Sequence, residues 1–101
     1  MMLDKNQIEI VKKIQAGRED GAQFAAYKLG EELAELTKEL FKQFNVGKER
    51  REGVIEEMGD VICNMEFVMV SMGISKEDIK RRVDEKFESI VDKARRQGID
   101  V

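Results

Sequence analysis

Between Val54 and Met72 the chain carries apolar side chains on nearly every side of a helix. Val54, Ile55, Met58, Val61, Ile62, Met65, Val68 and Met69 recur at helical spacing as one broad face. Cys63, Phe67 and Val70 make much of the other side apolar too. A helix of that character is expected to be covered all round, at the centre of a bundle or at a subunit interface. Glu57, Asp60 and Asn64 form a polar wedge between these flanks. Acids in such surroundings need partners.

The same acid pattern occurs one helix earlier. Glu31-Glu32-Leu33-Ala34-Glu35-Leu36 and Glu56-Glu57-Met58-Gly59-Asp60-Val61 share an acid-acid-apolar-small-acid-apolar order. Within each, the second and third acids, Glu32 with Glu35 and Glu57 with Asp60, lie three residues apart and stack on one side of a helix. Carboxylates gathered across two packed helices repel one another, so the arrangement asks for a cation between them. The chain has no histidine and one cysteine, which excludes zinc sites built from those residues and the Glu-x-x-His ligand sets of di-iron bundles. A hard, oxygen-seeking ion, Mg2+ or Mn2+, is the expected occupant. Taken alone, the EExxE segment reads equally well as a solvated helix face. Its pairing with acids on an apolar helix is what gives it weight.

Local signals divide the chain into helices. Asp4 with Gln7 predicts a capping box, Ile8, Val11 and Ile14 a short apolar stripe, and Gly17 its end. Asp20 with Gln23 repeats the capping signal, and Ala25, Ala26, Leu29, Leu33, Leu36 and Leu40 run at helical spacing to Phe44. Asn45-Val46-Gly47 is the turn. The third helix is predicted to begin between Lys48 and Glu52 and to end at Met72, with Gly73 as a left-handed cap and Ile74 packed behind it. Ser75 with Asp78 opens the last helix, whose expected core face is Ile79, Val83, Phe87, Ile90, Val91 and Ala94. Gly30 and Gly59 lie inside helices beside acids, where glycine costs about 1 kcal/mol relative to alanine. A neighbouring helix or a ligand is therefore expected to approach the backbone there.

These elements make one all-α domain over residues 1–101. A chain of 101 residues built from long helices has difficulty covering its apolar faces alone, so a homo-oligomer is the default expectation. The net charge of -3 mixes both signs and argues against nucleic acid as the main partner. Met1 to Ile10 lacks the apolar run of a signal peptide, and no window approaches a membrane span, so no membrane association is expected. Cys63 has no intramolecular disulfide partner, and a reduced, cytoplasmic setting is expected.

The run Glu31-Glu32-x-x-Glu35, a spacer of about twenty residues, then Glu57-x-x-Asp60 on the next helix resembles the signature of the MazG-like, all-α nucleoside triphosphate pyrophosphohydrolases. The resemblance spans roughly Gln23 to Arg96. It implies a long helical hairpin that forms a four-helix bundle on oligomerisation, as a homodimer or homotetramer. It also implies Mg2+ ligands at Glu32, Glu35, Glu57 and Asp60, with Glu31 and Glu56 as outer acids that orient water or complete a second metal site. The implied reaction cleaves a nucleoside triphosphate between the α and β phosphates.

Relatives carry a tight Lys/Asn/Arg motif near the C-terminus; this chain has Lys86, Lys93 and Arg96 at a looser spacing. Asn64 beside the acids, and Phe24 and Tyr27 ahead of them, complete the candidate substrate contacts, the two rings as stacking surfaces for a base. Lys28-Leu29-Gly30-Glu31-Glu32 also resembles the lysine-glycine-acid run of phosphoribosyl-ATP pyrophosphatase. A non-catalytic helical scaffold is the alternative of a different class.

Overall fold

The computed structural model describes residues 2–101 and is helical almost throughout, with no strand among them. The helices are α1 (Lys5–Ala16), α2 (Gly21–Phe41), α3 (Arg51–Met72) and α4 (Lys76–Arg96). Reciprocal caps begin two of them. The Asp4 carboxylate accepts the Gln7 N–H at 2.8 Å while Gln7 Oε1 accepts the Asp4 N–H at 2.9 Å. Ser75 and Asp78 repeat the exchange at 3.1 and 3.3 Å. Asp20 does not cap α2, because its backbone (φ -105°, ψ 24°) lacks the extended conformation that turns a capping side chain toward the first N–H groups. Its carboxylate lies 3.6 Å from Arg18 Nε instead.

The hairpin of α2 and α3 forms the body of the molecule. Regular α2 stops at Phe41, short of the expected Phe44, and widens into a π turn over Lys42–Val46. Gly47 then reverses the chain at φ 82°, a left-handed conformation that glycine adopts without steric cost. Near the turn, Glu39 of α2 faces Gly53 of α3. At the far end the Gln15 amide of α1 bonds both the Gly21 carbonyl and Ser71 Oγ, so the two helices run antiparallel. The buried apolar core is small: Val11 of α1, Ala25 of α2, and Val61 and Met69 of α3. Glu66 is buried beside them at 2% exposure, its carboxylate accepting the N–H groups of Met2 and Leu3.

Within one chain two helices keep apolar faces uncovered. Ile55, Met58, Cys63 and Met72 of helix α3 are exposed, because one chain supplies neighbours on only part of its circumference. Helix α4 has no core face within the chain. The left-handed cap at Gly73 (φ 65°), with Ile74 N–H bonded to the Met69 carbonyl, bends the path by 120° and sends α4 away from the hairpin. Val83, Phe87 and Ile90 are consequently 53%, 62% and 52% exposed. The radius of gyration, 16.9 Å, exceeds the roughly 13 Å of a compact domain of this length, as a splayed helix requires. Gly30 and Gly59 have nothing within 4 Å of an added Cβ, so no element of this chain explains them by close approach. No single helix among the described residues is long and apolar enough to cross a membrane.

The two capping boxes are expected to act differently. Asp4→Ala, on a helix packed against the hairpin, should lower stability by about 1 kcal/mol, read as a lower urea midpoint. Ser75→Ala at low protein concentration should lower helix content by circular dichroism and leave that midpoint unchanged, since α4 alone is a marginal helix. Equal midpoint shifts would contradict the independence of α4.

Candidate metal centre

Glu32 of α2 and Glu57 and Asp60 of α3 each direct one carboxylate oxygen into the seam of the hairpin, and the three oxygens lie within 4.8 Å of one another. Helical geometry accounts for the meeting. Where Glu39 faces Gly53, the stripe seven residues back on α2 carries Glu32, and the positions four and seven residues on along α3 carry Glu57 and Asp60. Seven residues make about two turns and return to the same side of a helix.

All three side chains are half-buried, and Glu57 is the most constrained. Its Oε2 is sealed from solvent and no group among the described residues donates to it. Burial first, then the Glu32 carboxylate, with further repulsion from Asp60 and Glu35, pushes the Glu57 carboxyl up to about 7. Glu32 and Glu57 can share a hydrogen bond only when a proton lies between them; with both ionised, Oε2 is bare. Either a proton or a cation can satisfy the position, and the oxygen-only donor set matches a hard divalent ion.

The other residues singled out in the sequence are placed differently. Glu35 is exposed; it adds negative potential at Glu57, but its carboxylate is not among the converging oxygens. Glu31 turns to Lys28 Nζ at 2.8 Å, and Lys28 and then the Tyr27 hydroxyl hold its carboxyl below the usual range. Glu56 is exposed on α3. Asn64 donates one Nδ2 N–H to the Asp60 carbonyl at 2.8 Å, which leaves its amide oxygen and second N–H one turn beyond the acids. Phe24 lies under the Arg18 guanidinium, 3.8 Å from the ring centroid, and Tyr27 is exposed. Lys86, Lys93 and Arg96 stand exposed on α4 and are not brought to the acids of their own chain.

Sequence reasoning missed Glu39. It lies inside the seam at 8% exposure, gripped by Arg50 across the turn. The signal that could have found it was Gly53, a glycine near the start of an apolar helix and beyond a turn that also carries an arginine. No family model, curated protein or solved structure matches this chain.

Glu57 makes stability depend on pH with a definite sign. Its folded-state value of about 7 lies above the ordinary 4.5, so the folded protein keeps a proton that the unfolded chain surrenders. This group's contribution is full below the ordinary value and is lost as pH rises through about 7. Glu31, Glu39 and Asp78, all held below the usual carboxylate range, act in more acidic solution. The urea midpoint is therefore expected to decline between about pH 5 and pH 7.5 in metal-free buffer. Glu57→Gln should flatten that decline, and an unchanged slope would contradict the assignment.

Proposed function

We propose that this chain is a Mg2+- or Mn2+-dependent nucleoside triphosphate pyrophosphohydrolase of the MazG-like kind, converting a (d)NTP to the (d)NMP and pyrophosphate. The observation that carries the reading is the Glu57 carboxylate, with one oxygen sealed in the seam and without a donor, facing Glu32 and Asp60. Glu32, Glu57 and Asp60 would hold the ion, and Glu35, one turn away on α2, is the nearby acid available to join them. Bound there, the cation supplies charge neutralisation at phosphate oxygens and acidification of a bound water.

The chain's own groups fill the remaining roles. Holding the cation requires an ionised Glu57, so the proton that burial and the neighbouring acids keep on this carboxyl would leave as the ion enters. Glu31 and Glu56 would be outer acids that orient water or complete a second metal site. The Asn64 amide oxygen is an acceptor beside the cluster, and Tyr27 and Phe24, one face of which Arg18 covers, are the rings that would stack on a base.

A homo-oligomer belongs to the same reading. Ile55 and Met58 on α3, the stripe of Val83, Phe87 and Ile90 on α4, and open backbone at Gly30 and Gly59 leave room for the helices of a second copy. Two hairpins packed on those faces would make a four-helix bundle. Lys93 lies about 25 Å along α4 from Lys76, at 1.5 Å per residue, on a helix that leaves its own hairpin. Phosphate contacts by Lys86, Lys93 and Arg96 would accordingly come from a neighbouring copy.

A pyrophosphate-release screen over canonical and modified NTPs and dNTPs, with Mg2+ and Mn2+, tests the reading. Asp60→Asn should lower turnover of the best substrate by about a hundredfold or more, with helicity and light-scattering mass, at least a dimer, unchanged. No release with any nucleotide, or near wild-type turnover by Asp60→Asn, would move the assignment to a non-catalytic scaffold.

A further inference from the structure

We propose that Glu39, Arg50 and Gly53 form a positioning clamp that sets the α2–α3 register on which the meeting of Glu32, Glu57 and Asp60 depends, an inference that rests on the metal reading above. Arg50 holds both oxygens of the buried Glu39 carboxylate, Nε to Oε2 at 2.6 Å and Nη2 to Oε1 at 2.9 Å. Lys42 Nζ lies 3.8 Å from Oε1. The Arg50 backbone N–H donates to Gln43 Oε1 at 2.6 Å. The residue that precedes α3 is thus tied to α2 through its side chain and to the π turn that follows α2 through its main chain.

Gly53 completes the clamp by giving room. A Cβ at this position would lie 2.7 Å from Glu39 Oε2 and 3.1 Å from Cδ. A free glutamate could swing aside at little cost, but this one is fixed by a two-bond guanidinium fork. A methyl group must therefore lift α3 off α2 or expel the carboxylate from Arg50. The space at Gly30 and Gly59 is open by comparison.

Register matters because a slip of one residue moves a helix side chain by 1.5 Å along the axis and about 100° around it. Hard divalent ions bind oxygen at about 2.0–2.6 Å, so donors displaced on that scale no longer share an ion. Among the described residues the buried apolar side chains of α2 and α3 are Ala25, Val61 and Met69. Specifying register is the best-attested use of a buried polar or ionic group.

The test pairs two readouts on the full-length chain. One is Mn2+ affinity by electron paramagnetic resonance. The other is the separation of nitroxides on the native, exposed Cys63 and on Ala26→Cys, diluted with unlabelled chain. Gly53→Ala and the shape-conserving Glu39→Gln should each shift or broaden the separation and weaken Mn2+ binding about tenfold or more. Asp4→Ala, which loses stability at a distant cap, should change neither. Unchanged separation in both seam variants would overturn the clamp. Altered separation with wild-type Mn2+ affinity would overturn its link to the acids. If the wild type binds no Mn2+, the metal reading falls, and the label separation alone decides whether the clamp sets the register.

Discussion

Burial of acidic groups along one helix–helix seam is the constraint on which the rest of this molecule depends. Glu39, Glu32, Glu57 and Asp60 all lie on the facing sides of α2 and α3, where a chain of this size would ordinarily place leucines. Each buried acid needs a compensating group, and the seam offers two kinds. Arg50 satisfies Glu39 at the turn end. At the centre nothing among the described residues satisfies Glu57 Oε2, and burial, followed by the neighbouring Glu32 and the repulsion of the other acids, raises its carboxyl to about 7. The contrast within one seam, one acid locked by a cation of the chain and another without a donor, separates a structural charge from the proposed metal site.

Much of this was legible in the sequence because its causes are local. Asp4 with Gln7, Ser75 with Asp78 and the left-handed Gly73 are short-range signals, and each appears where its spacing places it. The meeting of Glu32 with Glu57 and Asp60 was legible only in part: helical spacings fix a face and two consecutive helices joined by a short turn pack face to face, but the same spacing expected Glu35 among them, and its exposed carboxylate stays outside the cluster. Asp20 failed because capping depends on a backbone conformation that residue type only biases. Glu39 was hidden because its burial depends on Arg50 across the turn and on the missing side chain of Gly53, neither of which has a periodic signature.

Helix α4 shows the limit of periodicity most clearly. Its stripe of Ile79, Val83, Phe87, Ile90, Val91 and Ala94 is amphipathic, but a stripe states only that a face is to be covered and not by what. The Gly73 bend of 120° decides that the cover is not this chain's own hairpin. The apolar face of α4 and the exposed Ile55 and Met58 of α3 therefore belong to one question, which the proposed oligomer answers with a second copy.

The central claim is that the three converging carboxylates hold a divalent cation, and it can be examined without any assay of turnover. Crystals grown with Mn2+ and measured at the manganese absorption edge locate the ion by its anomalous scattering alone. The account expects one strong peak between α2 and α3, within bonding distance of oxygens from Glu32, Glu57 and Asp60. A map with no peak in the seam at millimolar Mn2+, with these carboxylates well ordered and Glu57 hydrogen-bonded to Glu32, would contradict it.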